Sequence, residues 1–163
     1  MAKQSPPVFK STGFWLMKSE PDCYSIEDFK NARKTLWSGV RNYQARNFMM
    51  HSMKKGDKFL FYHSSADITG VVGVGEILQP NIADPSALDP NSDHHDPKAS
   101  DDHPIWFCAE VGFVAILKKP VPLATIRSDK RLSKMALLAP GQRLSIQPVT
   151  KTEFEWIVKL GSN

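Results

Sequence analysis

The apolar residues of this chain come in short runs, each halted by proline, glycine or a polar cluster, and that punctuation restricts it to many short elements. Phe14-Trp15-Leu16-Met17 reads as a buried strand. Lys18-Ser19-Glu20-Pro21 ends it, because Pro21 cannot continue a ladder and holds Glu20 extended. Lys58 to His63 and Val71 to Leu78 read as further strands, the second with Gly73 and Gly75, which admit another backbone or a ligand. Pro80 to Pro104 has no apolar period and reads as a long loop, functional or disordered. Ile105 to Lys118 reads as a long strand broken by Pro120-Val121-Pro122, and Arg143 to Val149 as a strand in which Leu144 and Ile146 alternate.

Helices are signalled by their ends. Ser25 with Asp28 is a shortened capping box, and Tyr24 with Phe29 a hydrophobic staple, for a helix ending between Asn31 and Lys34. Asn42 caps a second helix running to about Met53, where Lys54-Lys55-Gly56 stops it. Leu123 to Leu138 holds one or two short basic amphipathic turns, and Thr150-x-x-Glu153 opens a C-terminal helix with Phe154, Ile157, Val158 and Gly161 on one face. Strands outnumber helices and most connections suit antiparallel pairing. The expectation is α+β: a strongly curved sheet or small barrel with helices outside it. A chain of 163 residues fits one domain, over 13–163, after a polar flexible arm over 1–12.

No run approaches the span of a bilayer, so no membrane partner is expected, and the arm lacks the apolar stretch of a secretory signal. Cys23 and Cys108 form no close pair, which fits a reducing cytoplasm, beside the nucleoid if the chain is bacterial. The formal charge of +4 and pI near 9.1 permit a polyanionic partner. Acids concentrate between Asp84 and Asp102, whereas Lys54, Lys55, Lys58, Lys118, Lys119, Arg127, Lys130, Arg131, Lys134 and Arg143 are scattered. They are solvated surface or, where a subset shares a face, a phosphate track.

Several groups carry chemistry. Trp37 to Asn47 puts an indole and guanidinium groups in and beside a turn at a helix N-terminus. Flat aromatics with Arg, Asn and Gln stack on a nucleobase and read its edge; equally, Trp37 plugs the core and Arg41 pairs with a carboxylate. Lys18, Ser19 and Glu20 form an acid/base pair, a strand-end salt bridge or a grip on a ligand. Strand alternation separates Tyr62 from Phe61 and His63, so one of these sets faces something other than the main core. The His and Asp residues from Asp93 to His103 have neither zinc nor EF-hand spacing, so no metal or other cofactor is expected. Cys23 with His51 or His63 would need spatial proximity to act as a nucleophile. Gly70-x-x-Gly73-x-Gly75 has the wrong order for a dinucleotide loop.

Three stretches carry a resemblance: Trp15 to Ile26, Trp37-x-Gly39-Val40-Arg41-Asn42-Tyr43-Gln44-Ala45-Arg46-Asn47-Phe48, and Phe61-Tyr62-His63-Ser64. With Asp96-Pro97-Lys98 and Arg143 to Val149, they make the chain similar to the EVE domain family from about Phe14 to Leu160. The resemblance implies a PUA-like fold, related to YTH and ASCH domains, and non-enzymatic binding of DNA or RNA carrying a modified cytosine or adenine, by a monomer. It implies a base pocket of Lys18, Ser19 and Glu20 at the end of the first strand, Trp37 as stacking face, and Gly39, Val40, Asn42 and Tyr43 as the adjoining wall. Tyr62, His63 and Ser64 would lie opposite, Asp96 and Gln147 at the rim, with Arg41, Arg46, Lys54 and Lys55 on phosphate. Ser38 stands where the family often has Asp, Ser65-Ala66 replaces Asn-Cys, and His95 replaces a Tyr. The competing expectation is a small amidohydrolase acting on an acylated base or nucleoside with Lys18 and Glu20.

Overall fold

The computed structural model describes residues 11–163. Six strands form one mixed sheet: β1 (Phe14–Ser19), β2 (Lys34–Leu36), β3 (Lys58–His63), β4 (Gly70–Ala83), β5 (Phe107–Pro122) and β6 (Ile146–Pro148). Their order is β2-β5-β4-β3-β1-β6, so the sheet curves but stays open between β2 and β6. Every neighbouring pair is antiparallel except β1 with β3, which run parallel. The fold is the expected α+β arrangement, and the alternative of a closed barrel is not the one adopted.

The period of two along β1 and β3 builds two cores, one on each face. Trp15, Met17, Phe59 and Phe61 face one way, packing with Phe29 of α1 (Ile26–Ala32), with Trp37, and with Phe48 and Met49 after α2 (Tyr43–Asn47). Leu16, Leu60 and Tyr62 face the other way, against Ile126 of α4 (Leu123–Ser128), Leu132, and Phe154 and Ile157 of α5 (Lys151–Ser162). The set expected to face something other than the main core therefore faces a second core. Each fully buried Leu, Ile or Phe contributes about 1.5–3 kcal/mol relative to exposure, so both layers hold the sheet.

Capping determines the helix starts as the residue types require. Ser25 and Asp28 form a complete reciprocal capping box, as do Thr150 and Glu153, and Asn42 accepts from the Ala45 amide. The second helix is shorter than its apolar spacing suggests. After five residues it loosens into a π turn over Phe48–Ser52, closed by the Met53 amide on the Phe48 carbonyl.

Several strand boundaries depart from expectation, and β1 runs past Met17 to Ser19 because Lys18 and Ser19 still pair with Tyr62 and His63. β4 runs through Pro80 to Ala83, because Gln79 pairs with Glu110 and Ile82 with Cys108, placing Pro80 and Asn81 in a bulge where a missing amide costs nothing. Asn81 takes φ +58° there. β5 likewise passes through Pro120 to Pro122, with residues 117–120 bulged between the Gly73–Ile116 and Val71–Val121 pairs. β2 has no periodic signal at all and exists through its pairing with β5. The rest of the expected long loop is built of α3 (Pro85–Leu88) and successive turns, and the strand expected over Arg143 to Val149 shrinks to β6. Of the expected arm, residues 1–10 lie outside the described residues; Ser11 and Thr12 are bonded to Asp57 and to the Val149 carbonyl. Among the described residues no helix is long and apolar enough to cross a membrane.

Candidate functional site

A cleft of about 500 Å³ opens where β1 ends and β2 runs into the following turn. Its position follows from pairing. The Trp37 amide donates to Ala109, continuing the β2–β5 ladder by one bond, and the Lys18 amide donates to Ser145 ahead of β6. Lys18, Ser19 and Glu20 form one side, and Trp37, Ser38, Gly39 and Val40 the other.

Trp37 is only 8% exposed, with its ring edge-on to Phe59 at 5.8 Å and to Phe61 at 5.5 Å. It is a core residue that also lines the cleft, so the two alternatives for it coexist. Gly39 has φ +83°, and a Cβ there would stand 2.9 Å from the His94 ring. Only glycine lets that imidazole close over the turn.

Arg41 holds the wall together. Its five N–H donors are all engaged inside the chain. Nη1 donates to the Val40 carbonyl and to Asp84, Nη2 to Ser86 and the His94 carbonyl, and Nε to the same carbonyl. Asp84 is fully buried, accepts from the Gly39 amide at 2.8 Å, and pairs with Arg41 at 3.0 Å. Burial alone would raise its pKa, but the hydrogen bonds from Ser86, Gly39 and Arg41 together hold it below the ordinary carboxylate value. The carboxylate alternative for Arg41 is thus the one realised, and it has no donor free for a phosphate.

The other expected site residues divide sharply. Asn42 is committed to capping α2. Tyr43 stacks on Trp106 at 4.8 Å beneath the Arg46 guanidinium, while Asp96 accepts from the Trp106 indole at 2.8 Å. These form a second aromatic stack behind the cleft wall, with the Arg41 guanidinium 5.2 Å over the Trp106 ring. Arg46 donates to Asn47 and the Ile105 carbonyl. Tyr62 lies in the second core, with the Lys18 ammonium 5.7 Å from its ring centre. His63 accepts from the Ile26 amide at 3.1 Å, and Ser64 donates its amide to the Ser19 carbonyl behind the cleft. Gln147 is buried; its amide donates to Leu144, and its Oε1 has no hydrogen-bond partner among the described residues. Lys54 and Lys55 precede β3, whose far end lies beside the cleft, roughly 17 Å of strand away.

Sequence reasoning missed Cys23, Tyr24, Thr35, Leu36, His94 and Ser145 in the lining. Tyr24 and Cys23 were legible from the Pro21 turn, which folds them back so that both their amides donate to the Glu20 carbonyl. His94 was not, since it arrives only through Arg41. Burial lowers the Lys18 pKa, and its ammonium rests on Tyr62; the Glu20 carboxylate accepts from the Cys23 thiol at 3.9 Å. Among the described residues no cluster of three His, Cys, Asp or Glu side chains is placed to hold a metal. Gly73 and Gly75 are approached by Ile26, Phe59 and Phe29 side chains.

A family model for the EVE domain matches residues 13–160. Thymocyte nuclear protein 1 of Homo sapiens is 39% identical over 164 residues, spanning 90% of this chain and 72% of that protein. The crystal structure of human THYN1 in complex with 5-methylcytosine containing DNA superposes with a TM-score of 0.85 at 38% identity, over 92% of this chain and 98% of that one. A Pseudomonas syringae protein superposes with a TM-score of 0.86 at 44% identity, over 91% and 99%. By the span of the family match and the identity to these relatives, the chain belongs to the EVE domain family.

Proposed function

We propose that this chain reads a modified cytosine in DNA, holding the base in the cleft between Lys18–Glu20 and Trp37–Val40, without chemical turnover. The observation that carries this reading is the cleft itself: about 500 Å³, within the usual range for a small-molecule site, with an indole on one wall and a rigid glycine turn beside it. The relative captured with 5-methylcytosine DNA supports the choice of ligand. Trp37 offers the base an apolar wall rather than a free platform, since most of its ring is packed. Ser38 is exposed and Ser19, though its hydroxyl donates to the Tyr24 carbonyl, retains acceptor capacity; these are polar groups suited to a base edge. A paired base must leave the stack to enter, so single strands bind best.

The test is affinity for matched single-stranded oligonucleotides, with and without one 5-methylcytosine, at one stated salt concentration. Burying one methyl group is worth about 0.8 kcal/mol, roughly fourfold in affinity; a preference of that size or larger is expected. Equal, weak and purely salt-sensitive binding of both strands contradicts the proposal. Acylated cytidine incubated with the protein stays intact, and turnover lost on Lys18→Ala would establish the hydrolase instead.

A further inference from the structure

The net positive charge of this chain comes from one segment. Between residues 111 and 152 eight lysines and arginines stand against a single acid, Asp129. That segment therefore carries a formal +7 in a chain whose total is +4, and the remaining residues sum to −3. We infer that its α4 region, with Arg127, Lys130, Arg131 and Lys134, is a phosphate-binding surface that grips the backbone of the strand whose base occupies the cleft; this rests on the base-binding reading above.

Topology makes the two places neighbours. Ser19 of β1 pairs with His63 of β3, His63 with Gly70 of β4, and Gly70 with Pro122 of β5, after which α4 begins at Leu123. The β1 wall of the cleft and the start of α4 thus lie at the same end of the sheet, three strand spacings or about 14 Å apart along it, with α4 packed on the face opposite Trp37. A cationic path joins them. The Lys18 ammonium lines the cleft and stands over Tyr62, and the charge of Arg127 acts on the Tyr62 hydroxyl against the larger effect of its burial.

These cations are also free to act. Arg127, Lys130, Arg131 and Lys134 are all exposed, and none takes part in the three ion pairs among the described residues. Asp129 feels the charge of Arg131 but forms no ion pair with any of the four. Its Oδ1 accepts from the Arg131 amide and its Oδ2 from the Trp156 indole at 2.7 Å. Arg131 lies 4.4 Å over the Trp156 ring, a contact that orders the guanidinium while leaving its donors unused. On its other flank the cleft is lined by His94, which belongs to the turns over 89–102 with exposed Asp89, Asp93, Asp101 and Asp102. A polyanion leaving the cleft is repelled there and drawn towards α4.

The experiment compares wild type with the triple variant Arg127→Gln, Lys130→Gln, Lys134→Gln, which keeps the Arg131–Trp156 stack. Binding of the methylated and unmethylated single strands is followed from about 50 to 200 mM salt. Each lost phosphate contact on a single strand removes about 0.7 from the log–log salt slope, so the triple variant loses about 2. Its preference for the methylated strand stays that of wild type, because phosphate contacts carry no base information. Arg127→Lys with Lys130→Arg and Lys134→Arg restores the slope, and Lys54→Gln with Lys55→Gln, at the far end of the sheet, leaves it intact. A triple variant that folds with an unchanged slope overturns the inference, as does one that loses heparin binding while holding DNA as before. A wild type with no methyl preference but a slope that falls in the variant condemns the base pocket alone.

Discussion

Arg41 looks in the sequence like a cation beside an anion-binding turn, yet its guanidinium is fully occupied by Asp84, Ser86, Val40 and His94. What cannot be read from residue type is the partner, which stands 43 positions away. The same ion pair predicts a large effect of Asp84→Asn. Removing one member of a buried pair leaves the other uncompensated, costing about 3 kcal/mol, measurable by urea unfolding. The difference is pH-dependent. The folded pKa of Asp84 lies below its ordinary 3.8, so its contribution is complete above that value and is lost as pH falls through the folded pKa. Wild type and variant should converge in acid, and a gap that stays constant to below pH 3 would refute the account of Asp84. Gly39→Ala should cost about 1–2 kcal/mol from its positive φ, with a further loss as His94 is pushed off the turn. A variant as stable as wild type would mean that the turn tolerates another backbone shape.

At the scale of elements, legibility tracked how local the determining interaction is. α1 and α5 were readable because their capping boxes lie within four consecutive residues. β3 was readable to the residue because its apolar run is continuous. β2 was invisible, since Lys34–Leu36, three residues with no pattern, become a strand only by pairing with Glu110–Gly112 of β5. The prolines misled for a related reason: bulges in β4 and β5 absorb Pro80 and Pro120, and a bulge is a property of two strands. The candidate site shows the same division. Its strand-end and turn residues were legible as a motif, whereas Tyr62, Gln147 and Asp96 belong to other surroundings that sheet face and loop path decide. His63 ties two elements, accepting the Ile26 amide at the start of α1 from the end of β3. That bond needs a neutral imidazole, and burial depresses its pKa. Stability is therefore complete above the unfolded value of about 6.5 and declines as pH falls from there through the folded pKa. His63→Gln should remove this step from melting temperatures measured between about pH 7.5 and 5, and an identical decline in the variant would assign the step elsewhere.

The whole molecule is a two-sided sheet whose cleft sits at one end, with acid-rich turns on one flank and the basic α4 region on the other. Its two thiols report on that arrangement. Cys23 is exposed in the cleft lining, whereas burial, first, and the charge of Asp84, second, push the Cys108 thiol up to about 12. In the native state one cysteine should react with an alkylating reagent and the other only on unfolding, and a bound methylated strand should slow the first. Reaction at an unchanged rate under saturating oligonucleotide would place the ligand outside the cleft. The central claim, that a modified base lies against Trp37, has a more direct reporter in the four indole N–H resonances of Trp15, Trp37, Trp106 and Trp156. Titrating labelled protein with a single-stranded 5-methylcytosine oligonucleotide, with Trp37 assigned through Trp37→Phe, should shift the Trp37 resonance saturably, and less with the unmodified strand. Trp156, beside Arg131, should shift with either strand. A Trp37 resonance unmoved at saturation, or moved equally by both strands, would contradict base reading in this cleft.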